Sequence, residues 1–251
     1  LFLDAGQGHE AGSAYWCPPL IRPYVEELQR DPGKLRVAVV RQSLTGAPLE
    51  PAIAATLETT IKQLSALGHQ LDELTLNIDP RQLFGAHGTA LGMALRVQIR
   101  DREQVLGRAA TAQDLEKITL VNLERSKATT GEELYRARQA FESIGATMEQ
   151  HFERYDVILS PVTGSLTPKL GLLSLDQPWD SYVHHAMGSA GFTVIANVSG
   201  QPAISLPLGQ SDSGLPVGMM FTARLGGEDV LLRLASQLEQ AHPWAARRAS
   251  L

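Results

Sequence analysis

The feature that most constrains the fold is a strand–helix–strand pattern between residues 35 and 76. Residues 35–40 (LRVAVV) are short, apolar and rich in β-branched side chains, which is typical of a buried strand. A helix is predicted from Pro51, because a missing N–H is harmless in the first turn, to Gly68, which ends it. Residues 71–76 (LDELTL) predict a second strand. So short a connection predicts parallel strands joined by a right-handed crossover.

The stretch between Pro80 and Tyr155 is predicted to be nearly all helical. Its apolar residues follow helical periodicity in three runs, the second of which spans residues 111–127. Thr130 and Glu133 have the spacing of a capping box, which predicts the start of the third helix.

The last third of the chain predicts further strands and a closing helix. Residues 156–161 read as a strand ended by proline, and the loop 209–214 suits a hairpin between two more strands. A short helix is expected at 182–187, and an amphipathic helix over 228–240. The fold class is therefore α/β, with a mixed sheet flanked by helices in one domain. Its segments are a connection (1–33), a β-α-β unit (34–78), a helical region (79–155) and a sheet with its closing helix (156–251).

Composition excludes several classes of function. The net charge of −5 argues against a nucleic-acid partner, and no apolar run is long enough to cross a membrane. The single cysteine, Cys17, excludes an internal disulfide and indicates a reducing, cytoplasmic compartment. The chain starts at Leu1 without a basic leader, and we expect it to be a fragment of a longer polypeptide.

The sequence contains no recognisable catalytic apparatus of its own. It lacks a Gly-x-Ser-x-Gly elbow, and Cys17 precedes two prolines rather than a helix N-terminus that would activate it. None of the seven histidines stands in zinc-binding His-Glu-x-x-His spacing. We therefore predict no catalytic residue, metal or cofactor in this chain.

An apolar stretch, residues 191–209 (GFTVIANVSGQPAISLPLG), carries unexpected hydroxyls and amides. They have two explanations. Thr193 caps a short helix, Asn197 bonds nearby backbone and Gly200 ends that helix before a strand begins at Pro202. Alternatively, these groups line a cavity that receives a polar substrate. The sequence leaves both explanations open.

Several blocks resemble the amidase signature family. They cover the whole chain, strongly from 156 to 241 and weakly in the helical middle. The blocks are LDAG at 3–6, YW at 15–16, DVILSPVT at 156–163, FTVIANVSGQPAISLPLG at 192–209, GLPVGMMF at 214–221 and EDVLLRLAS at 228–236. Within that family, the SPVTG loop and the GQPA block are most similar to the 6-aminohexanoate cyclic-dimer hydrolase branch.

The resemblance implies a hydrolase of carboxamides whose Ser–cis-Ser–Lys triad lies in the other, N-terminal part of the family's fold. No Gly-Gly-Ser-Ser-Gly-Gly loop occurs here, so no triad role is assigned. This chain is then the C-terminal portion of an amidase-type fold, supplying scaffold and pocket wall for a small-molecule amide substrate, and inactive alone. The resemblance places five residues at the acyl side of that pocket: Thr163, Gly164, Phe192, Thr193 and Asn197.

Two alternatives remain open at this point. One is a fragment of the A-type subunit of a tRNA-dependent amidotransferase, which the acidic charge disfavours. The other is a non-catalytic α/β ligand-binding domain. If the N-terminal half of an amidase is missing, the strands near Asp156 and Ile204 are expected to leave an apolar flank. That flank would favour association with the missing half or a homo-oligomer.

Overall fold

The computed structural model describes residues 2–13 and 18–247, which form a mixed sheet with helices on both faces. The predictions about Leu1, Tyr15, Trp16 and Cys17 lie outside the described residues. The described strands are β1 (Arg36–Val39), β2 (Gln70–Glu73), β3 (Val157–Pro161), β4 (Ala203–Gln210) and β5 (Pro216–Thr222). The described helices are α1 (Phe2–Gly6), α2 (Tyr24–Glu27), α3 (Pro51–Ala66), α4 (Pro80–Leu106), α5 (Lys117–Ser126), α6 (Gly131–Phe152), α7 (Trp179–Ala190), α8 (Val194–Ser199) and α9 (Glu228–Ala241).

The strand order is β2-β1-β3-β5-β4. β1 pairs in parallel with both β2 and β3, whereas β5 pairs antiparallel with β3 and with β4. The predicted mixed sheet, the parallel β1–α3–β2 unit and the β4–β5 hairpin are therefore confirmed. α3 follows the predicted bounds closely, with Pro51 at its first turn.

Apolar side chains bury each face of the sheet against a different set of helices. On one face, α3 and α9 pack over Val37, Leu159 and Phe221, all fully buried. On the other face, α4, α6 and α8 pack over Ala38 and Ile158. Because alternate residues of a strand point to opposite faces, one short strand such as β3 serves both cores.

The helical region differs from the prediction mainly at the start of α5. The predicted start near Thr111 is wrong, because residues 111–114 form a turn instead. The carboxylate of Asp114 accepts hydrogen bonds from the Thr111 backbone N–H at 2.9 Å and from its hydroxyl at 2.7 Å. The predicted capping box is confirmed: the Thr130 hydroxyl accepts from the Glu133 N–H at 3.2 Å, and the Glu133 carboxylate accepts from the Thr130 N–H at 2.7 Å.

The expected apolar flank is wrong for the strand after Asp156. That strand, β3, lies at the centre of the sheet and all five of its residues are buried. Of the two strands expected to form the flank, only β4, which contains Ile204, is at an edge. The short helix predicted at 182–187 is also longer than expected, since α7 spans Trp179–Ala190. No described helix is both long enough and apolar enough to span a membrane.

Candidate functional site

The strands that follow β1 in the chain lie on opposite sides of it, which creates a crevice at the carboxyl ends of the strands. From β1 the chain passes through α3 on one face to reach β2. It then passes through α4, α5 and α6 to reach β3, on the far side of β1, and α4 and α6 pack on the other face. In open α/β sheets such a reversal leaves a crevice at the carboxyl ends of the strands, where ligands bind. The loops that follow β1 and β3 are therefore the candidate site.

The loop after β1 is fixed against the end of α7. Leu44 donates its backbone N–H to the carbonyl of Gly191 at 3.0 Å. The hydroxyls of Ser43 and Thr45 share a hydrogen bond of 2.7 Å. A Cβ at Gly191 would overlap the Ser43 hydroxyl and lie 3.4 Å from Thr45 Oγ1, so glycine allows this close approach.

The loop after β3 contains two of the predicted site residues, Thr163 and Gly164. The Thr163 hydroxyl donates to the Ser165 carbonyl at 2.8 Å, and the Gly164 carbonyl accepts from the Glu50 N–H at 2.9 Å. Gly164 is buried, and a Cβ there would lie 3.5 Å from the Gly188 carbonyl of α7. Both loops therefore pack against the C-terminal part of α7.

The other predicted site residues follow α7 directly. The side chain of Phe192 is 3% exposed and belongs to the core beneath α4, α6 and α8. Thr193 is half-buried at the N-cap position of α8, but the predicted cap is wrong because its side chain makes no cap hydrogen bond. Asn197 is exposed, and no backbone group of the described chain bonds its side chain, which corrects that prediction too. Gly200 ends α8 as predicted, with a left-handed φ of +78°.

A cavity of about 440 Å³ opens beside the first loop, between the ends of β1 and β2 and the start of α4. Residues 42–46 form one wall, and Leu44 of the same loop bonds Gly191. None of the five predicted residues lines this cavity or a second one, of about 550 Å³, between α3 and the β4–β5 hairpin. Polar groups that the sequence analysis missed line the first cavity: Gln42, Ser43, Thr45, Thr75, Asp79 and Arg81.

Their position after parallel strands was the signal that would have revealed these missed residues. Gln42, Ser43 and Thr45 follow β1, and Thr75 follows β2, at the edge where the carboxyl ends of both strands meet. Asp79 caps α4 by accepting the Arg81 backbone N–H at 2.9 Å. The predicted parallel β-α-β unit already indicates the carboxyl ends of its strands as a place where ligands bind, without a motif.

Two ionisable groups with shifted pKa values, Asp156 and His69, lie near the amino ends of the strands, opposite the crevice. At the amino ends of β1 and β3, burial tends to raise the pKa of Asp156, but hydrogen bonds from Arg36 lower it overall. His69 precedes β2, and burial lowers its pKa. The crevice instead combines hydroxyls, amides and backbone groups with the charged side chains of Asp79 and Arg81. The hydroxyls and amides can orient a neutral polar ligand by hydrogen bonds, whereas acid–base catalysis requires residues that titrate near the working pH. Within residues 2–13 and 18–247, no three His, Cys, Asp or Glu side chains are grouped to hold a metal ion.

The family model described as Amidase matches residues 1–232. The chain therefore belongs to the amidase family. Its sequence is similar to the 6-aminohexanoate-cyclic-dimer hydrolase of Paenarthrobacter ureafaciens, with 33% identity over 99% of this chain and 52% of that protein. The chain thus spans about half the length of the curated relatives it matches.

Solved structures agree with this relationship. A 6-aminohexanoate cyclic dimer hydrolase complexed with substrate superimposes with a TM-score of 0.90 and 31% identity, over 98% of this chain and 53% of that one. The A-type subunit of the glutamyl-tRNA(Gln) amidotransferase from Thermotoga maritima shares the fold, with a TM-score of 0.68 at 20% identity. It is covered over 49% of its length, by 94% of this chain. The mixed-sheet, amidase-type fold predicted from sequence is confirmed.

Proposed function

We propose that this chain is a structural half of an enzyme that hydrolyses the carbon–nitrogen bond of carboxamides. The observation that carries the proposal is the TM-score of 0.90, at 31% identity over 98% of this chain, to a hydrolase solved with its substrate. Since this sequence has no Gly/Ser-rich nucleophile loop, the Ser–Ser–Lys triad of the family belongs to residues outside it. The chain's own contribution is scaffold and pocket wall.

The proposed pocket wall combines the predicted residues with the loop after β1. Thr163 and Gly164 after β3, and Thr193 and Asn197 around α8, face the acyl side of a bound amide, with Phe192 supporting them from the core. Both loops pack on the end of α7, which supports a shared wall. Neutral hydrogen-bonding groups suit a neutral amide, because charged side chains would have to be desolvated to bind it.

The substrate is a small-molecule amide, and the enzyme acts in the cytoplasm without nucleic acid or membrane. The net charge of −5 supports the absence of a nucleic-acid partner, and the single cysteine supports a reducing compartment. Among amides, those of 6-aminohexanoate have the strongest support, because the relative of known substrate reaches 33% identity.

A single-chain chimera tests this function. The segment of the Paenarthrobacter ureafaciens hydrolase that does not align with this chain is fused to it, and hydrolysis of the 6-aminohexanoate cyclic dimer is measured beside this chain alone. We expect turnover, inhibited by a fluorophosphonate, from the chimera only. A folded but inactive chimera contradicts the proposed function. Turnover by this chain alone contradicts the placement of the triad.

Pocket variants of the chimera test the wall. Thr163→Val removes a hydroxyl at nearly constant volume, and we expect it to change KM by about threefold to tenfold, the effect of one hydrogen bond. Thr59→Val, on the exposed side of α3, is the matched control. An unchanged KM for Thr163→Val would show that Thr163 is not part of the pocket wall.

A further inference from the structure

The cavity of about 440 Å³ beside the loop after β1 has an apolar floor that the core holds in place. Five of its lining side chains also belong to the core beneath α4, α6 and α8 or pack against it: Val40, Leu44, Leu74, Leu76 and Ile78. Val40 is only 4% exposed, so its position is fixed by that packing. The volume lies in the usual range of small-molecule sites. The floor can therefore receive a hydrocarbon chain without first being assembled.

The polar side chains that line the same cavity differ in how far the chain itself uses them. The hydroxyls of Ser43 and Thr45 bond each other at 2.7 Å, and Thr45 Oγ1 accepts the Ala47 N–H at 3.4 Å, so both stabilise the loop. The exposed side chains of Gln42 and Thr75 make no hydrogen bond to any part of the chain that the structure describes. These two groups are available to a ligand.

Arg81, in the first turn of α4, brings a positive charge to the cavity. Within residues 2–13 and 18–247, none of the ion pairs includes its guanidinium. The nearby Asp79 carboxylate is used to cap the helix instead, because its Oδ1 accepts the Arg81 backbone N–H at 2.9 Å. The group that can attract an anion here is therefore the Arg81 side chain and not the end of the helix.

Arg41, which follows β1 directly, shows the opposite arrangement. Its Nε donates to Glu73 Oε1 at 2.7 Å, and its Nη1 donates to Glu58 Oε1. These two carboxylates neutralise Arg41 and hold it between β2 and α3. Arg81 differs in having no carboxylate partner within the described chain, so its charge is free to select a ligand.

The cavity is separate from the proposed pocket wall but shares a loop with it. None of the five predicted pocket residues lines the cavity. Leu44 does line it, and the Leu44 N–H donates to the carbonyl of Gly191 at 3.0 Å. A ligand in the cavity therefore contacts a loop that also holds the residue just before Phe192.

We propose that this cavity is a second ligand site, which binds an aliphatic carboxylate. The hydrocarbon chain packs on the apolar floor, and the carboxylate accepts hydrogen bonds from the Arg81 guanidinium. Arginine suits this role because its planar fork can donate two parallel hydrogen bonds to one carboxylate. Burial of the chain supplies most of the affinity, since an exposed ion pair contributes little by itself. The site goes beyond the proposed function and does not depend on it.

Titration of the full chain with hexanoate, followed by the NMR signals of its backbone amides, tests the site. We expect the signals of residues 42–46 and 74–81 to move most. In the series acetate, butyrate and hexanoate, affinity should rise about threefold for each added CH₂. 1-Hexanol, which has the same chain length but no charge, should bind at least about fivefold more weakly than hexanoate. Equal affinity for acetate and hexanoate, or shifts mainly elsewhere in the chain, overturns the proposal.

Two arginine variants identify the group that recognises the carboxylate. Arg81→Gln removes the charge, and we expect hexanoate to bind at least about fivefold more weakly while 1-hexanol is unaffected. Arg102→Gln makes the matched change at an exposed position of α4 outside the cavity, where binding should stay within about twofold of wild type. Thermal unfolding of each variant checks that the fold is intact.

The same variants provide the result that would contradict the site. Hexanoate binding that Arg81→Gln leaves unchanged, or that Arg102→Gln weakens equally, overturns the role of Arg81. Because hydrolysis is not measured, failure of hexanoate to bind counts against this site and leaves the proposed function standing. An inactive chimera, in turn, counts against the proposed function and leaves this site standing.

Discussion

The centre of the sheet and its β4 edge are built from similar residues but end in different surroundings. In β3 every residue is buried, because helices cover both faces and strands flank both sides. In β4, Leu206 and Leu208 are buried while Ala203 and Ser205 are exposed. The comparison teaches that the centre is complete within this chain, whereas the edge strand is covered on one face only.

The largest effect is expected from truncating the sheet centre. Phe221 of β5 is fully buried opposite Leu159 of β3 and Ile204 of β4. Phe221→Ala should lower the free energy of unfolding by about 3–5 kcal/mol, because it removes buried surface and leaves a cavity. Ser205→Ala, at the edge, should change it by less than about 0.5 kcal/mol. Urea unfolding of both variants measures the two changes in free energy. Equal changes would contradict the difference between the centre of the sheet and its edge.

The next effect concerns α9, which covers the buried face of β4. Glu27 of α2 is 2% exposed, and its carboxylate accepts from Arg233 Nε at 2.6 Å and from Arg22 Nη1 at 2.9 Å. The hydrogen bond from Arg233 lowers the pKa of Glu27. Glu27→Gln should destabilise the chain by about 1–3 kcal/mol, less than in a dry interior because Arg22 and Arg233 remain 26% and 21% exposed.

The pH dependence of the free energy of unfolding provides a control for the Glu27→Gln prediction. A lowered carboxyl pKa stabilises the fold above the unfolded value of 4.5, and that stability is lost as the pH falls through the folded value. The difference between wild type and Glu27→Gln should therefore shrink on acidification. Glu26→Gln, at the exposed neighbouring position, should have little effect at any pH. A difference that persists in acid would argue against an ionic contribution.

A comparable effect is expected where α3 contacts the edge strand. A Cβ at Gly209 of β4 would overlap the side chain of Thr56 and come 2.8 Å from its Cβ. Gly209→Ala should cost about 1–3 kcal/mol, because helix and strand must separate. Gly85→Ala is the control, since a Cβ at this position within α4 meets nothing within 4 Å. It should stabilise the chain by about 0.5–1 kcal/mol. A Gly209→Ala variant with an unchanged free energy of unfolding would show that the covered face of β4 is loosely packed.

The smallest effect is a pH dependence at His69, which links the β2 side of the sheet to α9. Its Nδ1 accepts the Leu35 N–H at 3.0 Å, so Nε2 carries the proton and donates to Gln237 Oε1 at 2.9 Å. Burial lowers the pKa of His69, nearby Lys34 lowers it further, and Asp31 acts in the opposite direction. The stability that neutral His69 provides is therefore present above pH 6.5 and is lost as the pH falls.

Unfolding measurements at two pH values test this link. Between about pH 7.5 and about pH 5.5, His69 should account for at most about 1.4 kcal/mol of lost stability, the limit for one group titrated one unit below 6.5. His69→Gln should remove this contribution, whereas His184→Gln, at an exposed position, should retain it. An unchanged pH dependence in His69→Gln would show that the link to α9 does not depend on the neutral ring.

Particular elements show how much of the structure could be predicted from the sequence. The β-α-β unit, the capping box at Thr130 and the hairpin loop were predictable because each depends on residues close together in sequence. The start of α5 was missed, because Asp114 bonds Thr111 within a local turn that competes with the helix. In the candidate site, Thr163 and Gly164 were predicted through resemblance, and the structure places both in the loop after β3. Ser43 and Thr45 carry no local motif, and only their position at the carboxyl end of β1 marks them.

The sequence by itself determined most of the secondary structure, the family and the absence of a nucleophile loop, since periodicity, turn chemistry and family blocks are local properties of the chain. Only the tertiary structure decided that β3 lies at the centre of the sheet and β4 at its edge. It also decided that the loops after β1 and β3 meet on α7. Strand order depends on contacts between residues far apart in sequence, and a strand's own residues do not record which neighbours it will pair with.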